Sequence, residues 1–197
     1  MFKILDVILI VCYNKIMRII AGKYKGKKLA EFELGSTRPT ADMVREALFD
    51  KIGFYVEDGV FLDLFAGTGA VGLEAASRGA EAVYFVDKSK EAVSLIKKNI
   101  SVISSNNLQV YNSDFGIALE QFCEQNLEFD IIFLDPPYAT DFAEAAIEKI
   151  KELKLLKSDG IIVWEHDILK NKLIEHNFKN FETKKYGKKF LTYIKLN

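Results

Sequence analysis

The chain has 197 residues, of which 49% are hydrophobic and 28% are charged, and its formal net charge is −1. This composition predicts a single globular domain with one sizeable core. The near-neutral charge argues against binding polyanions over the whole surface, but it is compatible with a local basic patch. The two cysteines, Cys12 and Cys123, have no partner at metal-ligand spacing, so we predict neither a metal site nor a disulfide framework.

An apolar run, residues 4–13, opens the chain and is interrupted by Asp6. The run is too short to span a membrane, and no small-residue cleavage site follows it. Met17 is followed at once by a basic segment, so we expect residues 1–16 to be a non-native or disordered extension. The remaining single domain, residues 17–197, is expected to be a cytoplasmic monomer.

The segment between residues 15 and 28 carries six basic residues and no acid, with Tyr24 interleaved among them. Such a strip can follow a phosphate backbone. A second basic cluster surrounds the C-terminal turn: Lys184, Lys185, Lys188 and Lys189. This cluster either contacts phosphates in the same way or is the solvated tip of a hairpin.

A helix is predicted from about residue 40 to residue 51, with Thr40 as its N-cap and Gly53 just past its end. One face of this helix is apolar and should pack on a sheet: Val44, Ala47, Leu48 and Ile52. Arg45 and Phe49 fall on a neighbouring face with Asp42. That face is either covered or faces a ligand, or it only packs, with Phe49 partly buried and the stem of Arg45 across it.

From residue 60 onward, short apolar and β-branched runs alternate with helical patterns. The predicted strands are residues 60–64, 82–86, 108–111, 131–134 and 161–164, and the predicted helices are residues 71–77, 90–100, 117–124, 142–153 and 169–176. This alternation is typical of a parallel sheet with crossover helices. Residues 181–185 and 190–195 then alternate like two antiparallel strands that close one edge of the sheet.

A glycine-rich turn, residues 63–72, follows the first strand and opens a helix, where glycines let a ligand approach the backbone. Its Gly67-x-Gly69-x-x-Gly72 pattern also matches a dinucleotide fingerprint, and Asp87 ends the second strand where ribose hydroxyls would lie. Asp63 separates the two interpretations. A carboxylate before the glycines suits the cationic amino group of methionine and repels a pyrophosphate.

The end of the third strand supplies a further acid, Asp114, which is placed either to accept a hydrogen bond from an adenine amino group or to cap the next helix. With Asp63 and Asp87, it would put an acid near each polar end of S-adenosylmethionine. The predicted cofactor site therefore comprises Asp63, Phe65, Ala66, Gly67, Gly69, Asp87, Lys88, Asp114 and Phe115.

The most specific motif is Asp135-Pro136-Pro137-Tyr138, directly after the buried run 131–134. The two prolines stiffen the backbone and leave carbonyl oxygens free. An Asp carboxylate and a proline carbonyl can together accept both hydrogens of an exocyclic amine, while the tyrosine ring stacks on the base. We therefore predict these four residues as the catalytic set of an amino-methyltransferase that works by positioning, with no metal.

With these motifs, the chain from Met17 to Leu196 resembles the RsmD family of bacterial small-subunit rRNA guanine-N2 methyltransferases. Besides the glycine turn and the proline motif, the family-like stretches are residues 18–26, 37–40 and 44–49. The resemblance implies an α/β, Rossmann-like class I methyltransferase fold. Its seven-stranded sheet would be mostly parallel, with an antiparallel C-terminal edge strand, helices on both faces and a small basic N-terminal extension.

The resemblance also implies S-adenosylmethionine as cofactor and a guanine of 16S rRNA, of the type modified at G966, as target. The rRNA is expected free or within an assembling small subunit. RNA contacts are predicted for the basic segment 17–37 and the helix after it: Lys23, Lys25, Lys27, Lys28, Arg38 and Arg45. Other interpretations stay open: a DNA adenine or protein glutamine amino-methyltransferase, a NAD-dependent dehydrogenase, and a noncatalytic RNA-binding assembly factor.

Overall fold

The computed structural model describes residues 17–32, 39–137, 141–167 and 179–196. Within these ranges, seven strands form one sheet in the order β3-β2-β1-β4-β5-β7-β6. The strands are β1 Val60–Asp63, β2 Ala82–Asp87, β3 Leu108–Asn112, β4 Phe129–Leu134, β5 Leu156–His166, β6 Asn180–Tyr186 and β7 Lys189–Lys195. The helices are α1 Pro39–Val56, α2 Ala70–Ser77, α3 Lys90–Ile100, α4 Phe115–Glu124 and α5 Phe142–Glu152.

The predicted α/β architecture is confirmed. Strands β1 to β5 pair in parallel, whereas β7 is antiparallel to both of its neighbours, β5 and β6. The last strand of the chain therefore lies between β5 and β6, and β6 forms the edge. Chain order reverses at β1, since β1 lies between β2 and β4, and ligands of open α/β sheets bind at the carboxyl ends of the strands beside such a switch point.

Two apolar clusters cover the two faces of the sheet, because successive side chains of a strand point to opposite sides. Phe61, Phe85 and Phe133 belong to the cluster under α1, α2 and α3. Leu62 and Leu134 belong to the cluster under α4 and α5. Helices thus lie on both faces, as the sequence predicts, and they bury the sheet on both sides.

Helix α1 is longer than predicted, because it continues through Gly53 to Val56. Ile52 and Val56 are almost fully buried, at 0% and 1% exposure. Their burial offsets the cost of a glycine inside a helix, about 1 kcal/mol. The predicted packing face is confirmed by the burial of Val44 and Leu48 in the same cluster.

Other element boundaries differ by a few residues, and β5 begins five residues before its predicted start. The predicted helix 169–176 and the side chain of Thr40 lie outside the described residues, as do residues 1–16. Within the described ranges, no helix is both long and apolar enough to cross a membrane.

Candidate active site

A cleft of about 420 Å³ opens at the carboxyl ends of β1, β2, β3 and β4. Each of these strands delivers lining residues at its end or in the turn that follows it. Gly67 comes after β1, Asp87 ends β2, Asp114 follows β3, and Asp135 follows β4. The topology therefore brings together four residues that are widely separated in the sequence.

Asp87 is fixed by two backbone donors. Its Oδ2 accepts a hydrogen bond of 2.8 Å from the Gly67 amide, and its Oδ1 accepts one of 2.8 Å from the Ser89 amide. Gly67 has a φ of 54°, which only glycine adopts at little cost. Each carboxylate oxygen keeps a lone pair for a further donor, so Asp87 is suited to accept hydrogen bonds from ribose hydroxyls.

Asp114 caps helix α4, because its Oδ1 accepts a 3.0 Å hydrogen bond from the Gly116 amide. The capping role weighed from the sequence is thus observed. Its Oδ2 lies 3.4 Å from the Nζ of Lys88, whose side chain is 81% exposed. The cap occupies one oxygen and the exposed lysine touches the other only loosely, so an adenine contact at Asp114 stays a prediction.

Aromatic rings form an apolar wall of the cleft. The centroids of Phe65 and Phe115 lie 5.5 Å apart, and those of Phe115 and Phe142 lie 5.6 Å apart. Phe142, 40% exposed, was missed by the sequence analysis, although its place at the first position of α5 after the proline motif was the available signal. Such a wall suits a flat adenine ring.

Three predicted cofactor residues are buried and do not line the cleft: Asp63, Ala66 and Gly69. Asp63 is 1% exposed, and its Oδ2 accepts a 3.0 Å hydrogen bond from the Gly72 amide. Burial raises the pKa of Asp63 to about 7, opposed by the Gly72 hydrogen bond and reinforced by the charges of Asp135 and Asp87. A nearby cation would relieve this cost, as the predicted methionine ammonium would.

The third glycine of the pattern serves packing. A Cβ added to Gly72 would lie 2.3 Å from the ring of Phe85, so helix α2 can approach β2 closely only because residue 72 is glycine. This close approach sets the start of α2 beside the glycine turn.

Asp135, Pro136 and Pro137 line the cleft at the end of β4, whereas Tyr138 lies outside the described residues. Burial raises the pKa of Asp135 to about 6, with Lys189 lowering it and Asp167 raising it. Pro136 is buried and Pro137 exposed. The motif therefore presents a largely desolvated carboxylate beside a backbone that has no amide donors at the two prolines.

The basic segment forms a turn whose tip packs on the C-terminal end of helix α2, away from the cleft, since the amide of Tyr24 donates to the hydroxyl of Ser77. Arg18 and Lys28 are bridged as antiparallel partners. Two buried anchors, Ile19 and Leu29, fix its ends in the core. The four predicted RNA-contacting lysines of the turn are all exposed: Lys23, Lys25, Lys27 and Lys28.

Polar anchors also attach this turn to the cofactor side of the fold. Glu74 of α2 accepts hydrogen bonds from the amides of Ile20 and Ala21, at 2.7 and 2.9 Å. The Asn99 side chain donates to the carbonyls of Ala30 and of Thr68, which lies within the glycine turn. These contacts fix the base of the basic turn next to the predicted cofactor loop, whereas the tip of the turn lies at the far end of α2.

Arg45 does not lie where an RNA contact requires it. Its side chain is 6% exposed, and its guanidinium donates to the carbonyl of Arg18 and to Asp42, at 2.8 and 3.1 Å. Phe49 is also buried, with Arg78 over its ring at 4.9 Å. Both side chains are buried, as the packing alternative for this face predicted, but the arginine over Phe49 is Arg78 rather than Arg45. We correct the RNA role predicted for Arg45, because its guanidinium is buried. Arg38 lies outside the described residues.

His166 of β5 is a packing residue. It is 3% exposed, and its Nε2 is 2.8 Å from the hydroxyl of Thr192.

Known proteins share both the sequence and the fold. The profile of the family described as "Conserved hypothetical protein 95" matches residues 17–195. The Bacillus subtilis protein YlbH is 43% identical over 77% of this chain and 83% of its own length. The "Ribosomal RNA small subunit methyltransferase D" of Haemophilus influenzae is 36% identical over 87% of this chain and 89% of its own length.

Among solved structures, the Thermus thermophilus protein TTHA0928 superposes with a TM-score of 0.77 at 33% identity, covering 92% of this chain and all of that one. The T. thermophilus 16S rRNA N2 G1207 methyltransferase RsmC, in complex with AdoMet and guanosine, has a TM-score of 0.69 at 27% identity. This superposition covers 84% of this chain and 45% of RsmC. The chain therefore belongs to the RsmD family of class I S-adenosylmethionine-dependent methyltransferases.

Proposed function

We propose that this protein transfers a methyl group from S-adenosylmethionine to the exocyclic N2 amine of a guanine in 16S rRNA, of the type modified at G966. The observation that carries the proposal is the position of Asp135, Pro136 and Pro137 in the same cleft as Asp87 and Asp114. An acceptor-binding motif and a nucleoside-binding set thus face one space. Transfer between two bound groups requires this arrangement.

The residues present fit the cofactor. Asp87, held by two amides, would accept from the ribose hydroxyls, and the rings of Phe65 and Phe115 would cover the adenine. Asp63, whose burial is costly while it is ionised, would face the methionine ammonium. When bound, S-adenosylmethionine supplies an electrophilic methyl group.

The acceptor amine would be held by the proline motif. Asp135 accepts one amine hydrogen and the Pro136 carbonyl accepts the other, which leaves the nitrogen lone pair directed at the methyl group. The nitrogen gives up one proton in the reaction, and the Asp135 carboxylate is placed to receive it. Orientation in a site with little water supplies most of the rate, and Tyr138 is proposed to stack on the base.

Three findings support rRNA as the substrate. The relative from H. influenzae bears the name of a small-subunit rRNA methyltransferase, and the RsmC structure contains guanosine together with AdoMet. The exposed lysines of the basic turn would provide a phosphate-binding surface, and Asn99 attaches the base of this turn to the glycine turn. Phosphates held by this turn would bring the RNA to the methyl-transfer cleft.

The test uses purified protein, S-adenosylmethionine with a labelled methyl group, and two substrates: protein-free 16S rRNA and small subunits from cells that lack the enzyme. Digestion to nucleosides followed by mass spectrometry identifies the product. We expect labelled N2-methylguanosine from at least one of the two substrates. Label in N6-methyladenosine, in DNA or in glutamine would contradict the acceptor assignment.

The remaining alternatives are separated by binding. Calorimetry should show S-adenosylmethionine binding and no NAD binding, because the carboxylate of Asp63 disfavours a pyrophosphate. Tight RNA binding without methyl transfer to any acceptor would identify a noncatalytic assembly factor instead.

A further inference from the structure

Acidic side chains stand in a row at the carboxyl ends of neighbouring strands. Asp63 ends β1, Asp135 follows β4, and Glu165 lies near the end of β5. Each comes two residues after a member of the same core cluster, namely Phe61, Phe133 and Val163. Strand alternation therefore puts all three on one face of the sheet.

The pairing of β4 with β5 brings Glu165 next to Asp135. Leu134 is the register partner of Trp164. Asp135 follows Leu134 and Glu165 follows Trp164, so these two residues lie beside each other. Strand β5 continues past this point to His166, whereas β4 has ended. Glu165 is thus the neighbour of the predicted catalytic carboxylate on the side away from β1.

One cation faces this row. Lys189 begins β7, and its Nζ lies 3.1 Å from the Oε1 of Glu165. Both side chains are mostly covered, at 25% and 15% exposure. The ammonium also acts on Asp135, where it opposes the effect of burial.

The other charged groups that the described part of the chain places around Asp135 are acids. Among the described residues, Asp63 on β1, Glu165 on β5 and Asp167 just after β5 all interact with it unfavourably. Burial, and then the charge of Asp135, raises the pKa of Glu165 to about 8. Within the described residues, the Asp135–Glu165 pair thus shares the Lys189 ammonium, and repulsion between the two buried carboxylates disfavours a second negative charge on the pair.

We propose that Lys189, held in place by Glu165, is a positioning residue that keeps Asp135 ionised in the free enzyme and so ready for the acceptor amine. The inference rests on the proposed function of Asp135. An ionised carboxylate only accepts hydrogen bonds, as an amine donor requires, whereas a protonated one donates a proton and competes for the nitrogen lone pair.

The first test is the pH dependence of single-turnover methyl transfer in four proteins: wild type, Lys189→Met, Lys189→Arg and Lys188→Met. Lys189→Met should move the acid limb of the profile upward by about one pH unit or more, which lowers the rate at pH 5.5 about tenfold. Lys189→Arg should restore the limb. Lys188→Met removes an equal charge from the same turn at an exposed position and should leave the limb in place.

A second readout does not depend on activity. In protein labelled with ¹³C at the Asp carboxyl carbons, the Asp135 signal is assigned by its loss in Asp135→Asn and then titrated. Lys189→Met should raise the pKa of Asp135, and Lys188→Met should not. If the wild type lacked methyl transfer but this shift appeared, the proposed function would fail while the electrostatic assignment stood.

Glu165→Gln separates charge from shape, because it keeps a hydrogen-bond acceptor for Lys189 and removes the competing carboxylate. The acid limb and the Asp135 titration should stay in place or move to lower pH. An upward shift in Glu165→Gln, or an unshifted Asp135 titration in Lys189→Met, would overturn the proposal. A purely structural role would instead lower the rate at every pH without moving either titration.

Discussion

At the scale of single residues, the buried carboxylate of Asp63 has consequences for cofactor binding. Its pKa of about 7 means that much of it is protonated below neutral pH in the free protein. An ion pair with the methionine ammonium requires the ionised form. Affinity for S-adenosylhomocysteine, which retains that ammonium, should therefore fall about fivefold from pH 7 to pH 6. Calorimetry at each pH measures this affinity. The Asp63→Asn variant should bind S-adenosylhomocysteine weakly, and its affinity should depend less on pH. An equal pH dependence in wild type and variant would refute the ion pair.

The same carboxylate also affects stability. The pKa of Asp63 is about 7 in the folded chain against 3.8 when unperturbed, so the folded state binds more protons between these values. Stability is lost as pH rises through this window, and above it the loss is on the order of a few kcal/mol. Asp63→Asn should raise the melting temperature of the ligand-free protein at pH 8 more than at pH 5. A uniform effect at both pH values would contradict the assignment.

Alanine variants of Asp135 and Asp87 should distinguish a role in methyl transfer from a role in cofactor binding. Asp135→Ala is expected to reduce methyl transfer by about two or more orders of magnitude with S-adenosylmethionine affinity largely intact, because Asp135 orients the acceptor. Asp87→Ala should weaken cofactor affinity through lost ribose hydrogen bonds, each about 1 kcal/mol or somewhat more. Calorimetry and single-turnover rates measure the two effects. Equal loss of cofactor binding in both variants would remove this division of labour.

The sequence predicted the residues of this site better than their environment. Asp87, Asp114 and Asp135 each end or follow a strand, and the rule for open α/β sheets sends them to one edge. Glu165 and Lys189 were missed as partners of Asp135, because their contact depends on β7 lying between β5 and β6. No local pattern encodes that order. The contact of Arg45 with the carbonyl of Arg18 was likewise missed, since the two residues are distant in the chain.

At the scale of elements, the helices and strands could be predicted because hydrophobic periodicity marks them locally. The ends of these elements could not be predicted where tertiary contacts determine them. Helix α1 passes Gly53 because Val56 is buried.

The basic turn is the element proposed to hold RNA. Replacing Lys23, Lys25, Lys27 and Lys28 together by glutamine should weaken binding to rRNA and flatten its salt dependence, since fewer counterions are released. Affinity for S-adenosylmethionine should not change, because these exposed side chains lie outside the lining of the cleft. Filter binding over a salt series measures both affinity and slope.

A matched control uses four other exposed lysines, on α3 and α5: Lys90, Lys97, Lys98 and Lys151. This variant has the same net charge as the first. If both variants lost affinity equally, general charge rather than the basic turn would explain the binding. If the first kept the parent's affinity and salt slope, the RNA would enter elsewhere.

At the scale of the whole molecule, a rigid proline motif in a cleft constrains the substrate. The amino group of a paired or stacked guanine cannot enter such a pocket, so the target must be unpaired or turned out of its helix. The anchored basic turn would supply the binding energy that offsets this step. Free guanosine lacks the phosphates for that turn and should be a very poor substrate.

The central claim is the identity of the methylated atom, and mapping modifications in cells tests it most directly. In a strain from which this gene is deleted, mass spectrometry of 16S rRNA fragments should show loss of N2-methylguanosine at one position. A plasmid carrying the wild-type gene should restore the modification, and one carrying Asp135→Asn should not. An unchanged pattern of 16S rRNA methylation in the deletion strain, or restoration by Asp135→Asn, would contradict the account.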